Sequence, residues 1–272
     1  MKSSKNDGLD RKDASHNEEL LTFGGHLEVF RRMFIRIIAV AGAIAMIIFC
    51  FKETTWDLLL APSEWDFCTY RWIESVMQFF GMDFHFEEFH VNLIATDLSS
   101  QFMTHITTAV YLGVLGASPY ILYEMFRFIS PALYENERRY SVQVAGIIYV
   151  LFILGVLMSY FVLFPISFRF LGTYSVSARV VSNITLDSYI STFVSLTLVM
   201  GVVFQLPVIA FFLGKMGVVT SETLANYRKH SFIVIMFVAA IITPPDLMTL
   251  ILVTIPLYLL YETSIRVVKW VE

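Results

Sequence analysis

Long runs without Asp, Glu, Lys or Arg dominate the pattern of hydrophobic and polar positions along the chain. Four of them are good candidates for membrane helices: 37–51, 106–123, 140–168 and 188–214. A helix satisfies its own backbone hydrogen bonds in lipid, and about 20 apolar residues cross a hydrocarbon core of ~30 Å. The two shorter runs can be lengthened because arginine side chains near a helix end reach the interface. We therefore predict transmembrane helices over about 33–52, 102–128, 140–168 and 188–214.

Two further runs, 231–245 and 247–261, contain only 15 residues each, about 22 Å of helix. The sequence Thr243-Pro244-Pro245-Asp246 separates them. Two prolines end a helix, and Asp246 is a suitable N-cap for the next one. The pattern predicts two short helices over about 230–243 and 247–262, which either thin the bilayer locally or form one re-entrant hairpin. The predicted fold class is an all-α polytopic membrane protein with six transmembrane helices, the last two short.

The distribution of basic residues predicts the orientation. With six crossings, 15 of the 19 Lys and Arg residues fall on the side of the N-terminus and 4 on the other. Cytoplasmic loops carry this excess, so both termini are predicted to be cytoplasmic. The expected organisation is a charged tail over 1–25, a membrane domain over 26–265 with an external cap over 53–101, and a C-terminal tail over 266–272.

The composition agrees with a membrane protein, since 57% of residues are hydrophobic and 15% are charged. Soluble domains carry about 25% charged residues. A net charge of −4 provides no basic surface for a nucleic-acid partner. Cys50 and Cys68 lie in different surroundings and are expected to be free thiols rather than a disulfide or metal ligands.

No segment carries a recognisable catalytic motif. The segment 83–90 contains two histidines and three carboxylates, enough ligand types for a metal, but its phenylalanines partly alternate with the polar residues. That alternation favours a half-buried edge strand or loop. No nucleophile elbow, zincin helix or phosphate loop is present. We expect no enzymatic activity, no metal and no cofactor.

Gln205 is the clearest polar side chain deep within a predicted span. An amide in hydrocarbon needs a hydrogen-bond partner, and such bonds contribute ~1–2 kcal/mol to the association of model helices. Two partners fit equally well on the sequence alone: a neighbouring helix of the same chain, or a membrane helix of another subunit.

Carboxylates gather instead at the predicted cytoplasmic edge. Glu28 stands beside Arg31 and Arg32, while Glu135 and Glu137 stand beside another arginine pair. A mixed surface cluster is usually only a solvated rim. In this case Ser130 and Pro131 resemble an N-cap followed by proline at the first helical position, which would present both glutamates at the membrane surface. A carboxylate held there could select arginine, because guanidinium binds it through two hydrogen bonds.

Several segments, in order from His26 to Glu262, resemble the TatC family, the receptor subunits of the twin-arginine protein translocase. The most specific is Phe128-Ile129-Ser130-Pro131-Ala132-Leu133-Tyr134-Glu135-Asn136-Glu137-Arg138-Arg139. The others are His26-Leu27-Glu28-Val29-Phe30-Arg31-Arg32, Ala61-Pro62, Phe204-Gln205-Leu206-Pro207 and Thr243-Pro244-Pro245-Asp246. The family motif places its N-terminal glutamate at the position of Val29, one residue after Glu28.

The resemblance implies a concave bundle of six helices and assigns roles to individual residues. Glu137 would contact the arginine pair of a signal peptide and Phe128 would line that surface, with Glu28, Arg31 and Glu135 completing the charged patch. Gln205 matches an intramembrane polar position that would contact single-span partner subunits, which favours the second of its two possible partners, and Thr243 belongs to the same set. The turn residues Pro62, Pro131, Pro244, Pro245 and Asp246 are expected to be structural.

The resulting hypothesis is a core subunit of a Sec-independent export system in the bacterial cytoplasmic (inner) membrane. It would bind twin-arginine signal peptides of folded precursors at its cytoplasmic face and recruit TatA- or TatB-type single-span subunits. The resemblance further implies transport driven by the proton gradient and a homo-oligomer in the active complex. The alternative is a secondary transporter of a small molecule or ion, which would need a polar site at the bilayer midplane.

Overall fold

The structure is a computed structural model and describes residues 23–82, 85–129, 141–175, 177, 183–243 and 246–272. Its α-helices within these ranges are α1 (Phe23–Cys50), α2 (Lys52–Leu60), α3 (Cys68–Phe79), α4 (Ser100–Gly116), α5 (Ser118–Ile129), α6 (Ser141–Met158), α7 (Phe164–Thr173), α8 (Leu186–Val203), α9 (Leu206–Lys215), α10 (Ser221–Asn226), α11 (Arg228–Ile242) and α12 (Leu247–Val271). A 3₁₀ turn, Ala61–Ser63, follows α2, and a π-helical turn, Ser159–Leu163, joins α6 to α7. The strands β1 (Leu93–Ile94) and β2 (Ile184–Thr185) form one short parallel pair.

Four helical segments of the described chain are long and apolar enough to cross a membrane: Glu28–Cys50, Ala145–Thr173, Leu186–Lys215 and Leu247–Val271. The pair Ser100–Gly116 and Ser118–Met125 adds a fifth if its 51° bend is counted within one span. The helix α11 has 15 residues and falls below that length. The chain is therefore a helical membrane protein with several apolar spans.

The helices depart from the predicted bounds at four places. The helix α1 begins at Phe23, ten residues before the predicted start, and Glu28 pairs with Arg31 and Arg32 within the added turns. Prolines at 119 and 207, each in the second position of a helix, interrupt the predicted helices 102–128 and 188–214. The predicted tail 266–272 is instead helical as far as Val271, because the buried side chain of Val268 packs against Gly214.

The core lies where α7 and the π-helical turn pack against α8. Phe164, Phe168, Tyr189 and Phe193 meet there edge to face, with ring centroids 5.0 Å apart in each crossed pair. Crossed aromatic rings of this kind contribute roughly 0.5–1.5 kcal/mol per pair beyond their burial. The core therefore fixes the orientation of two candidate spans relative to each other.

Tyrosines of the core also hold the segment that leaves α1. Pro62, which is buried, has no N–H, so the carbonyl of Leu58, four residues earlier, lacks its usual helical donor. The hydroxyl of Tyr160 donates to that carbonyl at 2.7 Å, and the hydroxyl of Tyr189 donates to the carbonyl of Leu59 at the same distance. The end of α2 is thereby attached to the π-helical turn and to α8.

Removing one of these hydroxyls should weaken the attachment. Tyr160→Phe leaves the Leu58 carbonyl without its side-chain donor, and we expect a loss of about 1 kcal/mol in the free energy of unfolding. Unfolding in mixed detergent micelles measures it. The matched control is Tyr149→Phe on α6, because the structure records no hydrogen bond for the half-exposed Tyr149. Equal stability of the two variants would contradict the role given to Tyr160.

Candidate functional site

Charged residues cluster at the start of α1. Arg31 Nη1 lies 3.6 Å and Arg32 Nε 3.0 Å from the carboxylate oxygens of Glu28. All three side chains face one side of the helix because they are three and four residues apart. The arginines are more than 70% exposed, so these pairs contribute little to stability and remain accessible to a ligand. Glu28 and Arg31, which the sequence placed in one patch, are thus in contact.

The one-residue offset of Glu28 has a structural consequence. The segment is already helical, since α1 begins at Phe23. Successive side chains of an α-helix are rotated by about 100°, so Glu28 faces a different direction from Val29, whose position carries the glutamate of the family motif. Val29 is exposed on its own side of α1.

A second carboxylate, Glu124 on α5, was not among the predicted site residues. Its side chain is only 4% exposed. Arg36 Nη2 of α1 lies 3.2 Å from its Oε2 atom, and the hydroxyl of Tyr120 donates to its Oε1 atom at 2.8 Å. Arg36 is half exposed. This buried ion pair joins α1 to α5. In the sequence, α5 is followed by the segment 130–140.

The sequence does contain a signal for this pair. Glu124 directly ends the charge-free run 106–123, and Tyr120 precedes it by one helical turn. The charge pattern alone predicts that Glu124 lies near the end of a span, where a carboxylate is solvated. The close packing of α1 on α5, which buries it, is a tertiary feature.

Several predicted residues of this region cannot be placed. Glu135, Glu137 and Pro131 lie outside the described residues. Phe128 lies in the last turn of α5, and its side chain is also outside the description. The described part of the candidate site therefore consists of Glu28, Arg31 and Arg32 on α1 and the Arg36–Glu124 pair beside them.

Gln205 lies in the break between α8 and α9. Its Nε2 atom donates to the carbonyl of Ile148 on α6 at 3.1 Å and is 3.4 Å from the carbonyl of Gly201. Its Oε1 atom is buried and has no hydrogen-bond partner in the described part of the chain. The amide thus makes an intramolecular bond with one end and keeps an acceptor at the other.

The turn between α11 and α12 brings polar side chains next to each other. Thr243, 7% exposed, donates its hydroxyl to the carbonyl of Ala239 at 2.9 Å. Asp246 caps α12, because its Oδ1 atom accepts the backbone N–H of Thr249 at 2.7 Å. The hydroxyl of Thr249 is buried without a partner among the described residues. Pro244 and Pro245 lie outside the described residues.

In the segment considered for metal binding, one histidine lies near a carboxylate. His85 Nδ1 lies 4.0 Å from Glu74 Oε1. Within the described ranges no group of three His, Cys, Asp or Glu residues is arranged to hold a metal ion.

Comparison with known proteins identifies the family. The model of the family "Sec-independent protein translocase protein (TatC)" matches residues 25–256. The chain belongs to the TatC family. Relatives named Sec-independent protein translocase protein TatC include one from Blattabacterium sp. subsp. Periplaneta americana, 32% identical over 93% of this chain and 96% of the relative. Another, from Aquifex aeolicus, is 36% identical over 72% of this chain and 89% of the relative.

A solved structure supports the same assignment. The crystal structure of a twin-arginine translocase receptor, TatC, superposes with a TM-score of 0.71 at 31% identity. The match covers 90% of this chain and 99% of that chain. The resemblance found in the sequence is therefore confirmed, and this member of the family is a component of the Sec-independent protein translocase.

Proposed function

We propose that the chain is the signal-recognition subunit of its translocase and binds the twin arginines of precursor signal peptides at the edge where α1 packs against α5. The observation that carries the proposal is the accessible carboxylate of Glu28, which lies about two turns before Arg36, the residue whose pair with Glu124 attaches α1 to α5. A carboxylate at a membrane surface binds guanidinium through two parallel hydrogen bonds. Glu137, next in the sequence after α5, supplies the second carboxylate of the proposed site.

The proposed topology places this edge in the cytoplasm. It has six crossings, with α11 as the short fifth helix and α12 as the sixth, and both termini are cytoplasmic. The excess of Lys and Arg on that side supports it. The proposed complex lies in the inner membrane, is driven by the proton gradient and contains more than one copy of the chain.

A crosslinking experiment tests the recognition site. A precursor signal peptide carrying a photoreactive group next to its arginine pair is mixed with membranes that contain the chain or its Glu137→Gln variant. We expect a loss of about tenfold in crosslinking for the variant, equivalent to ~1.4 kcal/mol of binding. The amide cannot make the charge-assisted bonds. A twin-lysine signal should lose a similar amount on the unaltered chain.

The matched control is Glu222→Gln, an exposed glutamate in the first turn of α10. Its crosslinking should equal that of the unaltered chain. Undiminished crosslinking to Glu137→Gln would remove Glu137 from the proposed site. A loss of the same size in both variants would show that the assay measures net charge rather than a local contact.

Gln205 is the proposed contact to a single-span partner subunit of the TatA or TatB type. Its buried, unpartnered Oε1 atom supports this role, since a donor on a partner helix would satisfy it. Thr243 is proposed as a second intramembrane polar residue of this kind.

Gln205→Leu should weaken partner association by about 1 kcal/mol, a several-fold change, while leaving signal crosslinking largely intact. Co-purification of the partner from mild detergent at several chain concentrations measures it. Gln101→Leu, the same exchange at an exposed position in the first turn of α4, serves as the control that should retain the partner. Equal partner yield for the leucine variant and the unaltered chain would contradict the assignment.

A further inference from the structure

The helix α3 is attached to the interior of a membrane span. The hydroxyl of Thr69 donates to the carbonyl of Phe161, and the hydroxyl of Tyr70 donates to the carbonyl of Pro165 at 2.8 Å. Pro165 has no N–H, so the Phe161 carbonyl four residues earlier has lost its helical donor, and Thr69 replaces it. Burial raises the pKa of the Tyr70 phenol, which stays protonated and able to donate. The first turn of α3 is therefore fixed to the span Ala145–Thr173.

Helix geometry gives the depth of this attachment. The span ends at Thr173, and the attachment points Phe161 and Pro165 lie 12 and 8 residues before that end. At 1.5 Å per residue these are distances of about 18 and 12 Å along the helix. The hydrocarbon core is about 30 Å thick. With the end of the span at the edge of the hydrocarbon, α3 begins at hydrocarbon depth rather than above the membrane.

Exposed aromatic side chains surround this attachment. Phe67 stacks on Phe161 with ring centroids 6.0 Å apart, and Phe161 is itself 39% exposed on the surface of its span. Trp65 and Trp72, on either side of the attachment in sequence, are 45% and 66% exposed. The ring of Phe67 therefore continues the apolar outer surface of a candidate membrane span, and two exposed indoles flank it in the sequence.

Arg169 marks the level at which the surroundings become polar. It lies about one turn before Thr173, at the end of the span. Its guanidinium lies 4.3 Å from the ring centroid of Phe86 and 4.6 Å from that of Phe89, and it donates to the carbonyl of Glu87 at 2.8 Å. Trp72 lies about half a turn after Tyr70, which contacts Pro165, so its backbone is near this boundary and its exposed indole lies on the other face of α3. Indole rings concentrate at the boundary between hydrocarbon and headgroups.

We propose that residues 65–72 form a lipid-contacting anchor, with the indoles of Trp65 and Trp72 inserted into the leaflet nearer Thr173. The partner is the bilayer itself. The anchor fixes the start of the cap at a set depth, and the hydroxyls of Thr69 and Tyr70 transmit that position to the span.

Depth-dependent quenching of tryptophan fluorescence tests this. The chain contains four tryptophans, and variants that keep one of them, with Phe at the other three, are reconstituted in phosphatidylcholine vesicles with or without bromine on acyl carbons 6 and 7. For the chains that keep Trp65 or Trp72 we expect brominated lipid to remove at least about half of the emission, since the rings lie at that depth. Aqueous iodide should have little effect.

The chain that keeps Trp56 is the control, because this partly buried ring packs against the core and against His105. It should respond little to either quencher. Quenching of Trp65 and Trp72 by iodide but not by brominated lipid would overturn the proposal and place these rings in water. If a triple variant fails to assemble, the unaltered chain is compared with Trp72→Phe alone. An unchanged bromine-sensitive fraction of the emission would then count equally against the proposal.

Discussion

Arg36→Met should destabilise the chain by about 3 kcal/mol, because it leaves the carboxylate of Glu124 buried with only the Tyr120 hydroxyl as its partner. Removing one partner of a fully buried pair costs roughly 3–5 kcal/mol, and Arg36 is half exposed, so we expect the lower end of that range. The free energy of unfolding in mixed micelles measures it. Because α1 also carries Glu28 and Arg31, signal crosslinking should fall in the same variant.

Two further variants make this prediction specific. Arg32→Met removes an equally long cation from the same helix, but its partner Glu28 is exposed, so the expected loss is below about 1 kcal/mol. The double variant Arg36→Met with Glu124→Leu removes the unpaired buried charge and should recover most of the stability. Equal losses for Arg36→Met and Arg32→Met, or no recovery in the double variant, would show that Glu124 is not held by Arg36.

The sequence marks the turn after α11 plainly, but not the helix breaks before Pro119 and Pro207. The helix α11 occupies Arg228–Ile242 against a predicted 230–243, because the turn at Thr243 bounds it on one side. The break at Phe204 and Gln205 was missed, although Pro207 is visible in the sequence. A proline in an apolar run is compatible with a kinked continuous span as well as with two helices, and packing against α6 decides between them.

The sequence predicted those site residues that carry charges close together along the chain. Glu28 and Arg31 share a helix face at a spacing that the sequence itself displays. Glu124 and Arg36 are 88 residues apart, and their pairing depends on how α1 packs against α5. The Oε1 atom of Gln205 lacks a partner among the described residues because the amide nitrogen bonds to a carbonyl on α6, and that bond too depends on how the helices pack. Contacts of this kind are set by tertiary packing and have no local signature.

The packing of α6 on α8 depends on a close approach that glycine permits. A Cβ atom added to Gly155 would lie 2.5 Å from the carbonyl oxygen of Met200 and 3.0 Å from the Cα atom of Gly201. A Cβ atom on Gly201 would in turn lie 2.6 Å from the ring of Phe152. Backbone atoms cannot move aside as a flexible side chain can. Any larger residue at 155 must therefore separate the two helices.

Gly155→Ala should consequently cost about 3 kcal/mol in the free energy of unfolding, at the upper end of the usual range for overpacking. At Gly146 on the same helix, an added Cβ atom would have no heavy atom of the described residues within 4 Å outside the backbone of its own helix. Alanine favours helix over glycine by about 1 kcal/mol, so this control should be neutral or slightly stabilising. If Gly155→Ala lowers the free energy of unfolding and Gly146→Ala does not, the loss comes from the close contact at Gly155. Equal changes in the two variants would contradict that explanation.

The substitution Gly155→Ala should also affect the hydrogen bond of Gln205. The bond from its Nε2 atom to the Ile148 carbonyl spans the α6–α8 contact, seven residues along α6 from Gly155. Forcing the helices apart at Gly155 lengthens that 3.1 Å bond and frees the amide to rotate, so partner association should weaken in Gly155→Ala as it does in Gln205→Leu. Combining the two substitutions should then lower partner yield by less than the sum of their separate effects, because both act through one hydrogen bond. Fully additive losses would mean that Gly155 affects the partner by another route.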